Sequence, residues 1–315
     1  MAATIAVFAP SVWLTVTIER NVQDADDIHL HAGGQGIWIA RMLRQLGQSP
    51  VVCAPVGGES GRAFQGLSAE WGIDLRAVAT SAASPVEITD RRDSDERHRL
   101  ARTAPPVLSR HETDELYNVT LEMALSAGTC VVTGQFPERS VPTSFYGRLG
   151  RDLERYGVQV VGDFHDEELA AYLDGGSLEV LKVSDGDLVA DGLIEAGDRS
   201  EASALRAARS LQQRGAKAVV ISRSHNPVVA RFPDGTYRVT GPELEKVDSQ
   251  GSGDSMTAAF AASVVAGIDT EPMLARAWAA GAANITRRGS GGASAGLVDE
   301  LLRRVEVERI EEDDG

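Results

Sequence analysis

The residues best suited to chemistry stand together at Val247-Asp248-Ser249-Gln250-Gly251-Ser252-Gly253-Asp254-Ser255. Two glycines one residue apart permit a tight turn with converging backbone N–H groups. A helical pattern follows, so the turn opens onto the positive end of a helix. Amides arranged this way can hold a phosphoryl group while its charge redistributes. Asp254, at the mouth of the turn, is a carboxylate placed to accept a hydroxyl proton as the oxygen attacks a phosphate. The same residues also read as a plain glycine turn with an Asp capping a helix, and the local sequence supports both readings equally.

A second glycine-rich stretch, Ala32-Gly33-Gly34-Gln35-Gly36-Ile37-Trp38-Ile39-Ala40, opens a helix with an apolar face of Ile39, Leu43 and Leu46. A dinucleotide fingerprint is excluded, because the preceding Asp24–His31 is polar rather than a buried strand and the third glycine is missing. The turn reads instead as built for close backbone approach to a small polar ligand. Gly57-Gly58-Glu59-Ser60-Gly61 reads as a strand-to-helix connection.

The elements that must position these residues alternate. Strand patterns at 4–9, 50–54, 129–133, 159–162, 179–183 and 218–222 are interleaved with amphipathic helical patterns at 36–46, 62–71, 112–126, 143–156 and 201–214. That rhythm predicts a mostly parallel sheet with helices on both faces. After Gly251 the chain reads as helical and Ala-rich, through 257–266, 272–287 and 295–305, and the acidic tail 306–315 reads as frayed. Two segments break the rhythm, Val12–Ile18 and Val86–Thr103, and both alternate like strands of a small side sheet. The dense charge at 90–97 would be its hairpin tip, with a lid and a plain solvated hairpin as equal readings.

The chain has 315 residues, is 43% hydrophobic and carries a formal net charge of −15. One large α/β domain, or one with a small appendage, fits that length. The acidic balance argues against nucleic-acid and anionic-membrane partners, which need a basic footprint. Phosphorylated small molecules stay open, since a few local Arg residues suffice for them. Lys occurs only at 182, 217 and 246. Cys53 and Cys130 lie in apolar runs and read as buried thiols, with no disulfide or zinc spacing. Met1-Ala2-Ala3-Thr4 runs directly into a strand pattern without a basic leader, and the chain is expected to be cytoplasmic.

In this order the elements resemble the PfkB/ribokinase family of carbohydrate kinases over nearly the whole chain. The strongest likeness is to the branch holding 1-phosphofructokinase, tagatose-6-phosphate kinase and the minor 6-phosphofructokinase. Ala32–Gly47 resembles the first family signature and Val247–Met256 the second. Thr133-Gly134-Gln135-Phe136-Pro137 falls where the branch has Ser-Gly-Ser-Leu-Pro, and Leu181–Leu188 where it has Lys-Pro-Asn-x-x-Glu-Leu.

The resemblance implies an α/β fold, a ribokinase-like αβα sandwich with a small β-sheet lid. It implies a single kinase domain over 1–315 with lid strands inserted at about 12–30 and 85–104. It implies ATP-dependent phosphoryl transfer to a hydroxyl of a small sugar, sugar phosphate, polyol or nucleoside, with ATP and Mg2+ as cofactors and a monovalent cation left open. A homodimer through the lid is implied as well. Asp254 takes the base position, with Gly251, Ser252 and Gly253 as its anion hole. Gly33, Gly34, Gln35, Trp38, Trp13 and Gln135 fall at substrate positions; Lys182, Ser184, Ser222, Arg223 and Asn284 at nucleotide positions; Asp187 where an acid organises Mg2+ through water.

The chain departs from the branch at defined places. Gln35 replaces a Lys, Trp38 an Asn and Trp13 an Asp that grips sugar hydroxyls, and Ser84-Pro85-Val86-Glu87 lacks the usual Thr-Arg pair. Ser222-Arg223-Ser224-His225-Asn226-Pro227 stands where the family has Ser-x-Gly-x-x-Gly. Arg223 and His225 read either as compensating phosphate contacts or as a solvated loop. The cluster Arg91, Arg92, Arg97, Arg99 and Arg102 reads either as a phosphate clamp or as self-paired surface charge among Asp90, Asp93, Asp95 and Glu96. The alternative to an active kinase is a catalytically weak or inactive metabolite-binding or regulatory protein of the same fold.

Overall fold

The computed structural model describes residues 5–93, 97–135, 139–224 and 226–311. The first half of the chain runs β1 (Ile5–Phe8), β2 (Trp13–Arg20), β3 (Asp26–Gly33), α1 (Gln35–Gln45), β4 (Pro50–Val56), α2 (Gly58–Glu70), β5 (Asp74–Ala79), β6 (Val86–Asp90), β7 (His98–Arg102), α3 (Arg110–Ala127), β8 (Thr129–Thr133) and α4 (Thr143–Arg155). It continues with β9 (Gln159–Asp163), α5 (Asp166–Leu173), β10 (Leu178–Ser184), α6 (Asp185–Ala190), α7 (Glu201–Gln213), β11 (Ala216–Arg223), β12 (Asn226–Phe232), β13 (Gly235–Thr240), α8 (Ser252–Ala266), α9 (Thr270–Ile285), α10 (Ala295–Leu302) and β14 (Glu306–Ile310).

A ten-stranded sheet has the order β14-β13-β12-β11-β10-β9-β8-β1-β4-β5. From β11 to β5 every pairing is parallel, and β12, β13 and β14 extend the β11 edge in antiparallel fashion. Parallel strands are covered on both faces, which is why β1 and β4 are apolar and buried along their whole length. One face packs against α1, α8 and α9 through Ile37, Leu43, Phe260 and Leu274. The other packs against α3, α4 and α7 through Leu116, Tyr146, Leu149 and Leu211. Each such large side chain contributes about 1.5–3 kcal/mol on burial. Helix α8 is buried through Asp254–Ser263, as expected of an Ala-rich helix with no polar face.

A four-stranded side sheet, β3-β2-β6-β7, is inserted between β1 and α1 and again between β5 and α3. Strand β2 pairs antiparallel with β3 and parallel with β6. Alternation gives it two faces. Thr15, Thr17, His29 and His31 look inward, while Ile28 and Leu30 look outward, where they are 58% and 47% exposed.

Several elements exceed what the sequence pattern indicated. Most of β3 falls within Asp24–His31, polar because one face of a side sheet meets water. The hairpin β12–β13 was obscured by Pro227 and interior charges, although Asp234-Gly235 is a hairpin-turn signal. Glu306–Ile310 does not fray but pairs with Thr236–Thr240 as an edge strand, its charges on the solvent side.

Candidate active site

The sheet's carboxyl edge brings β9, β10 and the start of α8 together, the usual place for ligands in an open α/β sheet. Asp163 ends β9, Lys182 lies in β10 and Asp254 lies in the first turn of α8. All three are buried, Asp254 being 9% exposed. Lys182 Nζ lies 3.4 Å from Asp163 Oδ1. Thr257, one turn further into α8, donates to Asp163 Oδ2 at 2.6 Å and to the Gly253 carbonyl at 3.1 Å. Gly253 faces the Lys182 ammonium so closely that a β-carbon there would run into it.

Burial first, and then the charge of Asp163, push Asp254 well above the usual carboxylate range, with Lys182 pulling the other way. Burial lowers Lys182, but the carboxylates of Asp163, Asp254 and Asp187 outweigh it and raise the lysine. The cluster therefore holds a charged lysine between acids, one of which binds a proton more readily than a free aspartate.

The turn leading into α8 is braced from behind. Gly251 has φ +80°, and Ser290 packs directly where its β-carbon would be. Asn284, fully buried, donates from Nδ2 to the Gln250 carbonyl at 2.8 Å and accepts from the Gly291 amide at 2.8 Å. Ser252 donates its hydroxyl to Gly281 O at 3.1 Å and its amide to Ser249 O at 3.3 Å. No side chain caps α8, so its positive end is left to the cleft.

The other glycine turn behaves differently. Gly34 has φ 124°, and a β-carbon there would lie 2.5 Å from Ser11 O. One on Gly33 would lie 2.5 Å from Trp13 Nε1. The close approach is thus to the chain's own β2 segment. Trp13 and Trp38 are 7% and 9% exposed and pack edge to face with ring centroids 5.6 Å apart. Arg102 lies over Trp13 at 5.2 Å and pairs with Glu87 at 3.3 Å. Trp13 Nε1 is buried without a partner among the described residues. Gln35, the first residue of α1, is half-buried.

The amide of Gln135 is committed locally, donating to Glu168 and Val141 and accepting from the amides of Ser140 and Val141. Its neighbours Phe136 and Pro137 lie outside the described residues. Ser184 caps α6 by accepting from the Asp187 amide at 3.1 Å, and Asp187 accepts from the Ser184 amide at 2.8 Å. Ser222 donates to Val183 O at 3.4 Å. Arg223 is not solvated: it is 5% exposed and donates to the carbonyls of Arg199 and Pro227. Ser224 has φ 46°, in the left-handed region, and His225 lies outside the described residues. Gly57 and Gly58 connect β4 to α2, as their sequence indicated.

Residues 3–295 match the model of the pfkB family of carbohydrate kinases. The chain belongs to that family. It is 25% identical over 260 residues to the ATP-dependent 6-phosphofructokinase isozyme 2 of Escherichia coli, covering 82% of each chain. It is 25% identical over 262 residues to the isozyme 2 of Mycobacterium tuberculosis, covering 82% of this chain and 75% of that one. Among solved structures, phosphofructokinase-2 from Escherichia coli superposes with a TM-score of 0.84 at 22% identity, over 96% of this chain and 99% of that one. A possible 1-phosphofructokinase from Thermotoga maritima does so with a TM-score of 0.83 at 19% identity, over 98% and 99%. The expected ribokinase-like sandwich with its second small sheet is the fold observed, and the protein is an ATP-dependent carbohydrate kinase.

Asp187, the acid that the resemblance implies for Mg2+, stands at the start of α6, and its charge helps raise Lys182. Among the described residues no group of three His, Cys, Asp or Glu side chains is arranged to ligate an ion directly. Asp187 spends one oxygen on its cap, while the other faces His165 Nε2 at 3.8 Å. His165 also meets Asp191 Oδ1 at 2.8 Å; burial lowers its pKa, but Asp191 and then Asp187 raise it on balance. Sequence reasoning missed Asp163 and Thr257. A carboxylate ending a parallel strand was the available signal for the first; Thr257 carried none, being one more small residue in an apolar helix. No helix among the described residues is long and apolar enough to cross a membrane.

Proposed function

We propose that Asp254 is the general base of phosphoryl transfer from ATP to a hydroxyl of a small carbohydrate or related polyol, with the Gly251–Gly253 turn at the transferring phosphate. The observation that carries this reading is the buried Asp163–Lys182–Asp254 array facing the uncapped start of α8. The acceptor oxygen forms its bond to phosphorus as the bond to the ADP oxygen breaks, and the hydroxyl proton passes to Asp254. Lys182 keeps the array from accumulating uncompensated negative charge when phosphates arrive. Mg2+, when bound, would neutralise phosphate charge, with Asp187 orienting its water shell. The side sheet acts as the lid that excludes water.

The acceptor differs from a hexose gripped at its hydroxyls, because Trp13 and Trp38 fill the floor with indole. The outer face of the lid, carrying Ile28 and Leu30 at 58% and 47% exposure, supports a homodimer formed there.

Titration of the full chain with a non-hydrolysable ATP analogue, with and without Mg2+, tests the reading. Mg2+-linked binding with a dissociation constant below about 100 μM is expected. Absence of binding up to about 10 mM would refute transfer from ATP and leave a metabolite-binding protein of kinase fold.

A further inference from the structure

The arginines around the β6–β7 connection serve different parts of the molecule. Arg92 is paired within the side sheet, to Asp90 at 2.6 Å and to Asp26 at 3.4 Å. Arg91, directly after β6, and Arg97, directly before β7, reach across to the main domain. Both donate to Asp248 Oδ2, Arg91 at 3.1 Å and Arg97 at 2.5 Å. Arg91 is tied to the side sheet by its own amide, which donates to Ile18 O at 2.9 Å. The bridge spans a cleft of about 540 Å³, walled by Glu87 and Thr89 on the sheet side and by Ser249 and Gln250 on the other.

The other oxygen of Asp248 serves the turn before α8. Oδ1 accepts from the Gln250 amide at 3.0 Å. The Gln250 carbonyl accepts from Asn284 at 2.8 Å and from Ser290 at 3.2 Å, and Gly251 is the next residue. The backbone of Asp248 is held without the side sheet, since its amide and that of Val247 donate to Ile285 O at 3.2 and 2.8 Å. What the side sheet adds is the direction of the carboxylate. An Asp that accepts from the amide two residues on is a common local turn. Two charge-assisted bonds on its second oxygen fix which way the group points. The side chains of Arg91 and Asp248 are 3% and 9% exposed, so water is a poor substitute for a lost partner.

We propose that Asp248 is a positioning residue for phosphoryl transfer, coupling the seating of the side sheet to the shape of the Gly251–Gly253 turn. With the sheet seated, Arg91 and Arg97 hold the carboxylate so that Oδ1 keeps the Gln250 amide in place. With the sheet withdrawn, the carboxylate loses both cations and turns to water, and the approach to α8 loses that brace. The turn then takes its anion-holding form only beneath a closed lid, where transfer to water is excluded. Asp248 acts through the Gln250 backbone and not on a reacting atom. The inference rests on the proposed place of the turn at the transferring phosphate.

Amide hydrogen exchange on the full chain tests it. Arg97 is the partner to remove, because its side chain is 24% exposed and the more buried Arg91 stays in place. Arg97→Ala should speed exchange about tenfold or more in peptides covering 249–255. The strands Thr129–Thr133 and Gln159–Asp163 should exchange as before. Arg97→Lys keeps a cation and should restore most of the protection. Arg92→Ala, which removes a guanidinium paired within the side sheet, should leave 249–255 unchanged. The coupling is overturned by unchanged exchange at 249–255 in Arg97→Ala, by a rise shared equally with the two strands, by an equal rise in Arg92→Ala, or by no recovery in Arg97→Lys. The ATP-analogue titration separates this inference from the kinase reading. Analogue binding with a turn that ignores Arg97→Ala overturns the positioning role and spares the kinase. A responsive turn without analogue binding keeps the bridge and overturns its part in phosphoryl transfer.

Discussion

Helices α1 and α8 begin alike, each after a glycine in a left-handed or extended-positive conformation and neither with a side-chain cap. What their turns face differs completely. The α8 turn carries Asp254 and faces the Lys182 ammonium, both ionisable. The α1 turn faces Ser11 O and the Trp13 indole, neither of them ionisable. A glycine-rich helix start therefore marks a close approach, and only the approaching partner decides whether it serves chemistry or packing.

Removing the base is the largest test of that contrast. Asp254→Asn keeps the shape of the α8 turn while withdrawing the proton acceptor, so kcat should fall by about 10²–10⁴-fold with ATP-analogue affinity nearly unchanged. Steady-state kinetics paired with calorimetry would show it; near-normal turnover would remove Asp254 from the mechanism.

The two glycine turns can then be broken separately. Gly34→Ala forces a β-carbon against Ser11 O at φ 124°, so it should cost about 1–3 kcal/mol or more in denaturant melts while the folded fraction keeps its kcat. Gly253→Ala should do the reverse. Alanine is the better helix former by about 1 kcal/mol, yet its methyl displaces the Lys182 ammonium, so stability should hold while turnover falls about tenfold or more. If both variants lost stability alone, the α8 turn would be a packing feature like the α1 turn.

This contrast also explains what could be read in advance. Strand–helix alternation revealed the sheet because buried parallel strands such as Pro50–Val56 have one possible face pattern. Strands β3 and β14 escaped because edge and side-sheet strands carry charge on a wet face, and charge reads as loop. Asp254 was visible as a motif, but the Lys182–Asp163 pair is made by strands that meet only in the sheet. Gln135, Arg223 and Asn284 carry polar groups that sequence cannot assign to ligand or backbone. Folding commits all three to partners within the chain, Gln135 to the Glu168 carboxylate as well as to backbone.

Lys182→Met sharpens the electrostatic half of the comparison. Turnover needs ionised Asp254, so activity should rise with pH through the Asp254 pKa, already above the usual carboxylate range. Lys182 lowers that pKa, so its removal should move the acid limb of the kcat/KM profile upward by about one pH unit or more. An unmoved limb would mean that Lys182 does not act on the base.

A helix with a side-chain cap offers the smallest effect and the cleanest control. Ser109 accepts from the Glu112 amide at 3.3 Å while Glu112 accepts from the Ser109 amide and the Ser81 amide, each at 2.7 Å. Ser109, then these amides, lower Glu112 to about 2. A folded-state pKa below the unfolded value means the stabilisation is present above the ordinary glutamate range and is lost as pH falls towards 2. Ser109→Ala should therefore cost about 1 kcal/mol at neutral pH, and progressively less on acidification, with kinetics untouched. Melts at pH 7 and pH 3 would measure it. A loss of turnover from this variant would show that the start of α3 communicates with the cleft, as the uncapped α8 does by direct contact.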